Sequence, residues 1–421
     1  MNDFQQLKQR TFATLLPVWL VFVLLGMVGV VFRFATGEKL TGYGSYVPWG
    51  LWVALYFHGI GIGGGIFFVG VVGSLLGVRD FRRRLPEIIM LSVIGMICGL
   101  FAIWVDLGHP FRMWKVFLQP SLSSMLAFNA WSYMLFFVVA GSALVLTFRR
   151  TSDDEMRDPS GWLIPLLLMG GVLSVALPSQ SGAFFGVVDA KTFWHSPLMP
   201  FLFFLSSAVS GAAMLLAAFT FLEENPEQAS GQPFRFLRVI VIIGTAMYMV
   251  AEFAEISLSY WSTHSHHRRV FDLILFGPFW WVFWIVHVGG TVLYLWLLFK
   301  RESLPHIGAG GLLAAFVFLT SRLNILIPAQ TLPNLEGLRD AFQDDRLQFH
   351  YVASVNEYLV AFFIGALGFA LSYFILQFMP VLRVELKSEE NHGKKGIEII
   401  KKAVFITGSA AWQRAIGVFQ R

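Results

Sequence analysis

The residue best placed to do chemistry is a histidine, His58. It lies in a stretch that opens Tyr46-Val47-Pro48-Trp49-Gly50 and continues past His58 into Gly59-Ile60-Gly61-Ile62-Gly63-Gly64-Gly65. The stretch reads as the entry and first half of a membrane helix. Pro48 suits a first helical turn, where its missing N–H costs nothing. Trp49 and Trp52 suit the lipid headgroup level. At 1.5 Å per residue His58 is then roughly 15 Å deep. A titratable group at that depth is expensive and points to function; the plainer alternative is a packed histidine bonded to a carbonyl of the next helix. The glycines that follow allow close approach of another helix or a ligand.

Asp106 closes the next apolar run, in Trp104-Val105-Asp106-Leu107-Gly108-His109-Pro110-Phe111-Arg112. It is either a solvated acid paired with Arg112 or an acid opening onto a cavity shared with the His58 helix. Ser123 and Ser124 precede a further run, with Ser123 the expected helix cap. Asn129 and Trp131 follow as pocket-lining candidates, and Gln180 ends the run after that. All of these fall on one side of the membrane, so the expectation is a polar cavity there.

A second set lies later in the chain. Glu252 and Glu255 are three residues apart and share a helix face. His287 is mid-helix, Arg322 and Asn324 sit toward the end of another apolar run, and Glu357 is early in the last. These form either a structural cluster, with Arg322 neutralising a carboxylate, or a second route for protons. Glu87 and Tyr133 are further candidates for a proton route in the first half. His264, His266 and His267 share one loop, where a wet cluster is expected and a metal site is not. The chain has one cysteine, Cys98. An iron–sulfur cluster takes about four thiolates, so none is expected here, and a disulfide within the chain is impossible. Haem between His58 and His287, the two deep histidines, is an alternative that the histidine usage does not favour. No phosphate-binding glycine loop and no Ser-His-Asp arrangement stands out.

The elements that must position these residues are membrane helices. The 421 residues are 56% hydrophobic and only 14% charged, against about 25% charged in a soluble domain. The expected fold is all-α, a polytopic integral membrane protein. Apolar runs near the ~20 residues that span a bilayer recur at 12–32, 48–77, 86–105, 122–148, 161–180, 197–222, 236–262, 275–299, 307–327 and 351–379. The first is too long for a signal-peptide core and is read as a retained helix. With the N-terminus inside, the inner segments hold roughly twice as many Lys and Arg as the outer loops, with Arg79, Arg82, Arg83 and Arg84 the sharpest inner signal. Two regions are therefore expected: a transmembrane domain over 1–379 and a cytoplasmic tail over 380–421. The tail carries an apolar stripe, from Ile397 through Val404 and Trp412 to Phe419, flanked by lysines. It reads as an amphipathic helix on the inner membrane surface or docked on inner loops. The net charge of +5 comes largely from this tail and faces anionic lipid; nucleic acid is not an expected partner.

These motifs, in this order, resemble the NrfD/PsrC family of quinone-reactive membrane subunits. The matching residues are Val47-Pro48-Trp49-Gly50 leading to His58 and its glycines, Asp106-Leu107-Gly108-His109-Pro110, and Ser124-Met125 leading to Asn129-Ala130-Trp131. The stretches from Ser181 to Ala208 and from Ser321 to Asn324 point to its ten-helix branch. That branch includes hydrogenase-2-type b subunits and the membrane subunits of menaquinone reductase and alternative complex III. The resemblance implies two four-helix bundles with flanking helices. It also implies a quinone site near the outer face of the first bundle, held by His58 and Asp106, with Trp49, Asn129, Trp131 and Gln180 around it. The family's tyrosine late in the fifth helix has no counterpart here, and Gln180 stands nearest. The implied cofactor is quinone, menaquinone before ubiquinone. The implied partners are a periplasmic ferredoxin-type iron–sulfur subunit and a molybdopterin-type, hydrogenase or multihaem cytochrome subunit. The implied location is a bacterial inner membrane with both termini cytoplasmic. The rival classes are a haem b anchor and a secondary transporter, for which inverted repeats would be expected.

Overall fold

The computed structural model describes residues 2–390, apart from residues 122, 151–159, 189, 223–230, 262–264, 301–302, 334, 336, 342–343 and 345–346. Among the described residues ten helices are long and apolar enough to cross a membrane. They are α1 (Leu16–Thr36), α2 (Leu51–Leu75), α3 (Leu85–Asp106), α4 (Met125–Phe148) and α5 (Leu163–Gly186), then α6 (Met199–Phe221), α7 (Gln232–Trp261), α8 (Val282–Phe299), α9 (Leu304–Gln330) and α10 (Val355–Leu376). No strand occurs among the described residues. The chain is a multi-pass, all-α membrane protein, and each expected span has its helix. The last helix runs unbroken to Glu390, past residue 379; the rest of the expected tail stripe lies outside the described residues.

Helices α2 to α5 pack as one four-helix group and α6 to α9 as another, joined where α2 meets α6. Helices α1 and α10 pack together and lean on α3. Burial follows: α2, α6 and α9 are mostly enclosed, whereas α1 and α10 keep most of their surface exposed. Hydrophobic burial does not drive such packing in lipid, so close backbone approach has to. Two contacts show it. A Cβ on Gly65 would lie 1.8 Å from the Ser207 carbonyl oxygen of α6, and one on Gly59 would lie 2.6 Å from the Gly99 backbone of α3. The glycine run of α2 is thus the seam on which both groups assemble.

Two prolines shape the helices locally. Pro178 in α5 has no N–H to give the Ser174 carbonyl, and Gly64 packs over that oxygen. Pro328 in α9 likewise cannot donate to the Asn324 carbonyl. Helix α9 is also interrupted at Phe318, between Leu304–Val317 and Leu319–Gln330. The start of α8 is π-helical over Val282–Gly289, a widened turn often found at functional positions. It carries His287.

Candidate functional site

The predicted site residues sit at three places around α2. The first is at the face where α2 begins, the entry face. Asp106, at the end of α3, accepts a 2.7 Å hydrogen bond from the Tyr43 hydroxyl, not a bond from Arg112. Buried Arg33 of α1 donates to the carbonyls of Val105 (2.8 Å) and Leu107 (2.9 Å), closing the C-terminus of α3 with a cation as the helix dipole favours. Glu357, fully buried, accepts from the Gly42 N–H at 2.8 Å, the Ser354 N–H at 3.1 Å and the Tyr351 hydroxyl. Tyr351 in turn accepts the Leu51 N–H at 2.8 Å, one of the α2 donors that lacks a helical partner. Burial first, and then the Asp106 and Glu357 charges, hold the Tyr43 phenol well above its ordinary range. Burial and Glu357 do the same to Tyr351. Both phenols therefore stay protonated and donate.

His58 is the second place. It is buried, and its Nε2 has no hydrogen-bond partner. The Ala315 carbonyl of α9 is within hydrogen-bonding reach of its ring, and the charged group beside it is Arg322 of the same helix. The Arg322 guanidinium lies over the Phe203 ring at 3.8 Å and donates to the Phe203 carbonyl (3.1 Å) and Ser207 Oγ (3.3 Å). Its Nε and Nη1 are unpaired, and no carboxylate neutralises it among the described residues. No hydrogen bond joins His58 to Asp106. Gly59 abuts Gly99, which sets the register of the two antiparallel helices and leaves Asp106 roughly 9 Å nearer the entry face at 1.5 Å per residue.

The third place is the interior of the first bundle. The hydroxyls of Tyr56 and Tyr133 meet at 2.6 Å. Ser181 of α5 is within hydrogen-bonding reach of Tyr133. Asn129 lies one turn from Tyr133 on the same buried face of α4, and its Oδ1 is unpaired. Gln180 Oε1 is unpaired as well. Residues two apart differ by about 200° around a helix, so Tyr56 and His58 face opposite ways from α2. Asn129, on the Tyr133 face, therefore lies toward Tyr56 rather than His58. Trp131 is 51% exposed on the perimeter of α4. Trp49 stacks on Trp194 at 5.7 Å and is held by Gln330. Ser124, rather than Ser123, caps α4 by accepting the Ala127 N–H at 3.4 Å.

The second bundle holds its polar groups as pairs. His287 bonds Thr320 Oγ1 through Nδ1 (2.7 Å) and Glu252 Oε2 through Nε2 (3.1 Å). Tyr248 reaches both Glu252 and Ser321. Glu255 points elsewhere and accepts from Ser196 Oγ. Glu87 is buried near the opposite face, at the start of α3. His266 and His267 both bond Thr192, at 3.2 Å and 2.8 Å. His264 lies outside the described residues. No group of three or more metal-ligating side chains occurs among the described residues.

The sequence pattern alone does not single out Tyr43, Tyr56 or Gln330. Tyr43 has no periodicity to mark it, being in a loop. Gln330 has a usable signal, an amide at the end of an apolar run.

The family model "Polysulphide reductase, NrfD" matches residues 39–334. A selenate reductase subunit of Mesobacillus selenatarsenatis is 25% identical over 90% of this chain and 97% of its own. The Hdr-like menaquinol oxidoreductase integral membrane subunit of Archaeoglobus fulgidus is 23% identical over 70% of this chain and 74% of its own. The menaquinone reductase integral membrane subunit of Nitratidesulfovibrio vulgaris is 25% identical over 49% of this chain and 54% of its own.

Proposed function

We propose a function from one premise: this chain belongs to the polysulphide reductase NrfD family. It is the quinone-binding membrane subunit of a respiratory oxidoreductase complex. It serves electron exchange between a partner subunit at the entry face and quinone in the bilayer. The observation that carries this reading is His58, buried in a membrane helix with Nε2 unpaired. A buried imidazole nitrogen without a partner is costly unless a ligand supplies one. Two of the relatives are named for menaquinone or menaquinol chemistry, which supports menaquinone as the quinone.

The residues fit such a ligand. With its other ring nitrogen donating to the Ala315 carbonyl, the neutral imidazole presents Nε2 as an acceptor and so matches a ring hydroxyl of the quinol; a protonated ring would donate to a quinone carbonyl. A bound quinone supplies two-electron, two-proton chemistry. His58 holds the ring oxygen. Arg322, close by and without a counter-ion, keeps two unpaired nitrogens of its own on that side of α2. Asp106, separated from His58 along α3, acts at the entry face as a proton-exchanging acid held by Tyr43, rather than by orienting His58. His287 has both ring nitrogens engaged, which speaks against a haem shared with His58; the purified chain is expected to show no Soret band.

The partner set follows the family reading: a periplasmic ferredoxin-type iron–sulfur subunit, with a molybdopterin-type, hydrogenase or multihaem cytochrome subunit beyond it. The entry face is then periplasmic, and Arg79, Arg82, Arg83 and Arg84 mark the cytoplasmic side. Proton movement through Glu87 and Tyr133, or through Glu252, Glu255, His287 and Glu357, would make turnover electrogenic. The bonded sequence Glu252–His287–Thr320 supports the second of these routes.

The test is turnover of the assembled complex with a water-soluble menaquinol analogue. His58→Ala and Asp106→Asn are expected to abolish it while the subunits still copurify. Near-normal rates in both variants would overturn the assignment. Proteoliposomes that build no membrane potential during turnover would remove the electrogenic route.

A further inference from the structure

A second place in the fold has the makings of a ligand site, and neither His58 nor Asp106 lines it. A cavity of about 880 Å³ lies under the segment that joins α9 to α10, between the start of α8, the last turns of α9 and the start of α10. Ligand cavities commonly hold about 300–1,000 Å³. The membrane helices give it a mainly apolar wall, with Phe279, Val282, Leu323 and Ile327, while the α9–α10 segment adds Asp344, Gln348 and His350. Trp281 and Tyr358 also line it, and both keep nearly half their surface exposed at the beginnings of membrane spans. The cavity is therefore open on this side, at the level where the two spans begin.

Among the polar side chains on the lining, Asn324 is the one set within the span of α9. Asn324 of α9 is 6% exposed, lines the cavity, and its Nδ2 has no hydrogen-bond partner among the described residues. An unpaired buried amide donor costs about 1–3 kcal/mol, and a ligand acceptor would remove that cost. Pro328 adds to the local opening, because it withdraws the helical donor from the Asn324 carbonyl one turn away. Among the described residues the one guanidinium on the lining, Arg339, sits in the α9–α10 segment and donates to the Thr331 carbonyl at 3.5 Å.

We propose that this cavity binds a second isoprenoid quinone, whose ring carbonyl accepts a hydrogen bond from Asn324 Nδ2 and whose tail leaves past Trp281 and Tyr358 into the bilayer. A neutral amide set in an apolar wall matches a neutral carbonyl. A phospholipid phosphate calls instead for charge-assisted donors; the Arg339 guanidinium on the lining is turned to the Thr331 carbonyl. The proposal rests on the quinone reading above but not on His58 as its site. Leu51 lines the cavity two turns before His58, on the same face of α2. A quinone here thus lies beside the His58 region without occupying it.

The test is photolabelling of the purified, assembled complex with an azido-quinone, read by peptide mass mapping. Label is expected on peptides covering 319–331 and 347–358. Asn324→Leu and Asn324→Asp should each weaken that label by about tenfold, and His58→Ala should leave it in place. Asn324→Leu is close to the side chain's size and has no donor, and Asn324→Asp, labelled at alkaline pH so that its carboxyl is ionised, has none either, so a loss shared by both variants reads the donor and not the packing. Label confined to α3–α5 peptides, or label at 319–331 that survives both Asn324 variants, overturns the proposal. So does a copurifying phospholipid that excess quinone fails to displace from these peptides. Loss of turnover in His58→Ala tests the first site by itself, so the two readings fail separately.

Discussion

Gln330 holds the peptide group of Trp49 from both sides. Its Oε1 accepts the Trp49 N–H at 3.1 Å and its Nε2 donates to the Trp49 carbonyl at 2.8 Å. The amide of one side chain thus mimics a strand partner, and it ties the end of α9 to the residue that opens α2. The entry of the His58 helix is therefore set by a residue nearly three hundred positions away in sequence.

Replacing Gln330 by Leu should leave both Trp49 groups without a partner. Each unmade buried hydrogen bond costs about 1–3 kcal/mol, so a clearly lower melting temperature in detergent is expected. An unchanged melting temperature would show that water or lipid satisfies Trp49 as well as Gln330 does.

The close contact between α2 and α6 makes a second prediction. Gly65→Ala would place a Cβ 1.8 Å from the Ser207 carbonyl oxygen. Overpacking of this kind costs about 1–3 kcal/mol or more, and loss of folded yield is expected. Gly141→Ala is the control, since nothing lies within 4 Å of a Cβ there. Equal yields from the two variants would mean that the seam between the helices relaxes freely.

Tyr43 and Asp106 separate support from chemistry. Tyr43→Phe removes the 2.7 Å bond and is expected to lower thermal stability. It should reduce quinone turnover by less than Asp106→Asn does. An equal or larger loss in Tyr43→Phe would make the phenol, not the carboxylate, the working group at the entry face.

Lys191 carries a pH dependence. Its Nζ donates to the Leu332 carbonyl at 2.8 Å, and burial lowers its pKa to about 8 from the ordinary 10.5. The folded state penalises the charged form, so the penalty is full below pH 8. It is relieved as pH rises from about 8 toward the unfolded value near 10.4. Wild-type protein should therefore gain melting temperature relative to Lys191→Met across that window. A constant difference between the two would contradict the burial argument.

Some features were legible in the residues without the fold. Ten spans follow from apolar runs of bilayer length, because backbone groups in lipid have to be bonded within the segment, and a helix does that locally. His58 stood out because a titratable group at depth is expensive whatever surrounds it. Asn324 was visible as one more polar residue in α9, but its cavity was not.

Other features needed the assembled helices. Asp106 was expected either to pair with Arg112 or to open onto a cavity shared with the His58 helix; its hydrogen-bond partner is Tyr43, a loop residue with no local pattern. Arg322 was a candidate counter-ion for Glu252, Glu255 or Glu357, yet each glutamate bonds other groups and Arg322 rests on Phe203.

The residue types, the number of membrane helices and the depth of His58 were determined by the sequence alone, because hydropathy and rise per residue are local quantities. The tertiary structure decided which way each helix turns. Helix α2 is apolar around its whole circumference, so no stripe marks an inner face. Glycine contacts with α3 and α6, and bonds such as Trp52 Nε1 to the Glu357 carbonyl, fix its rotation. That rotation sends Tyr56 toward Tyr133 and His58 toward Arg322, while the turn of α9 leaves Asn324 on the cavity wall.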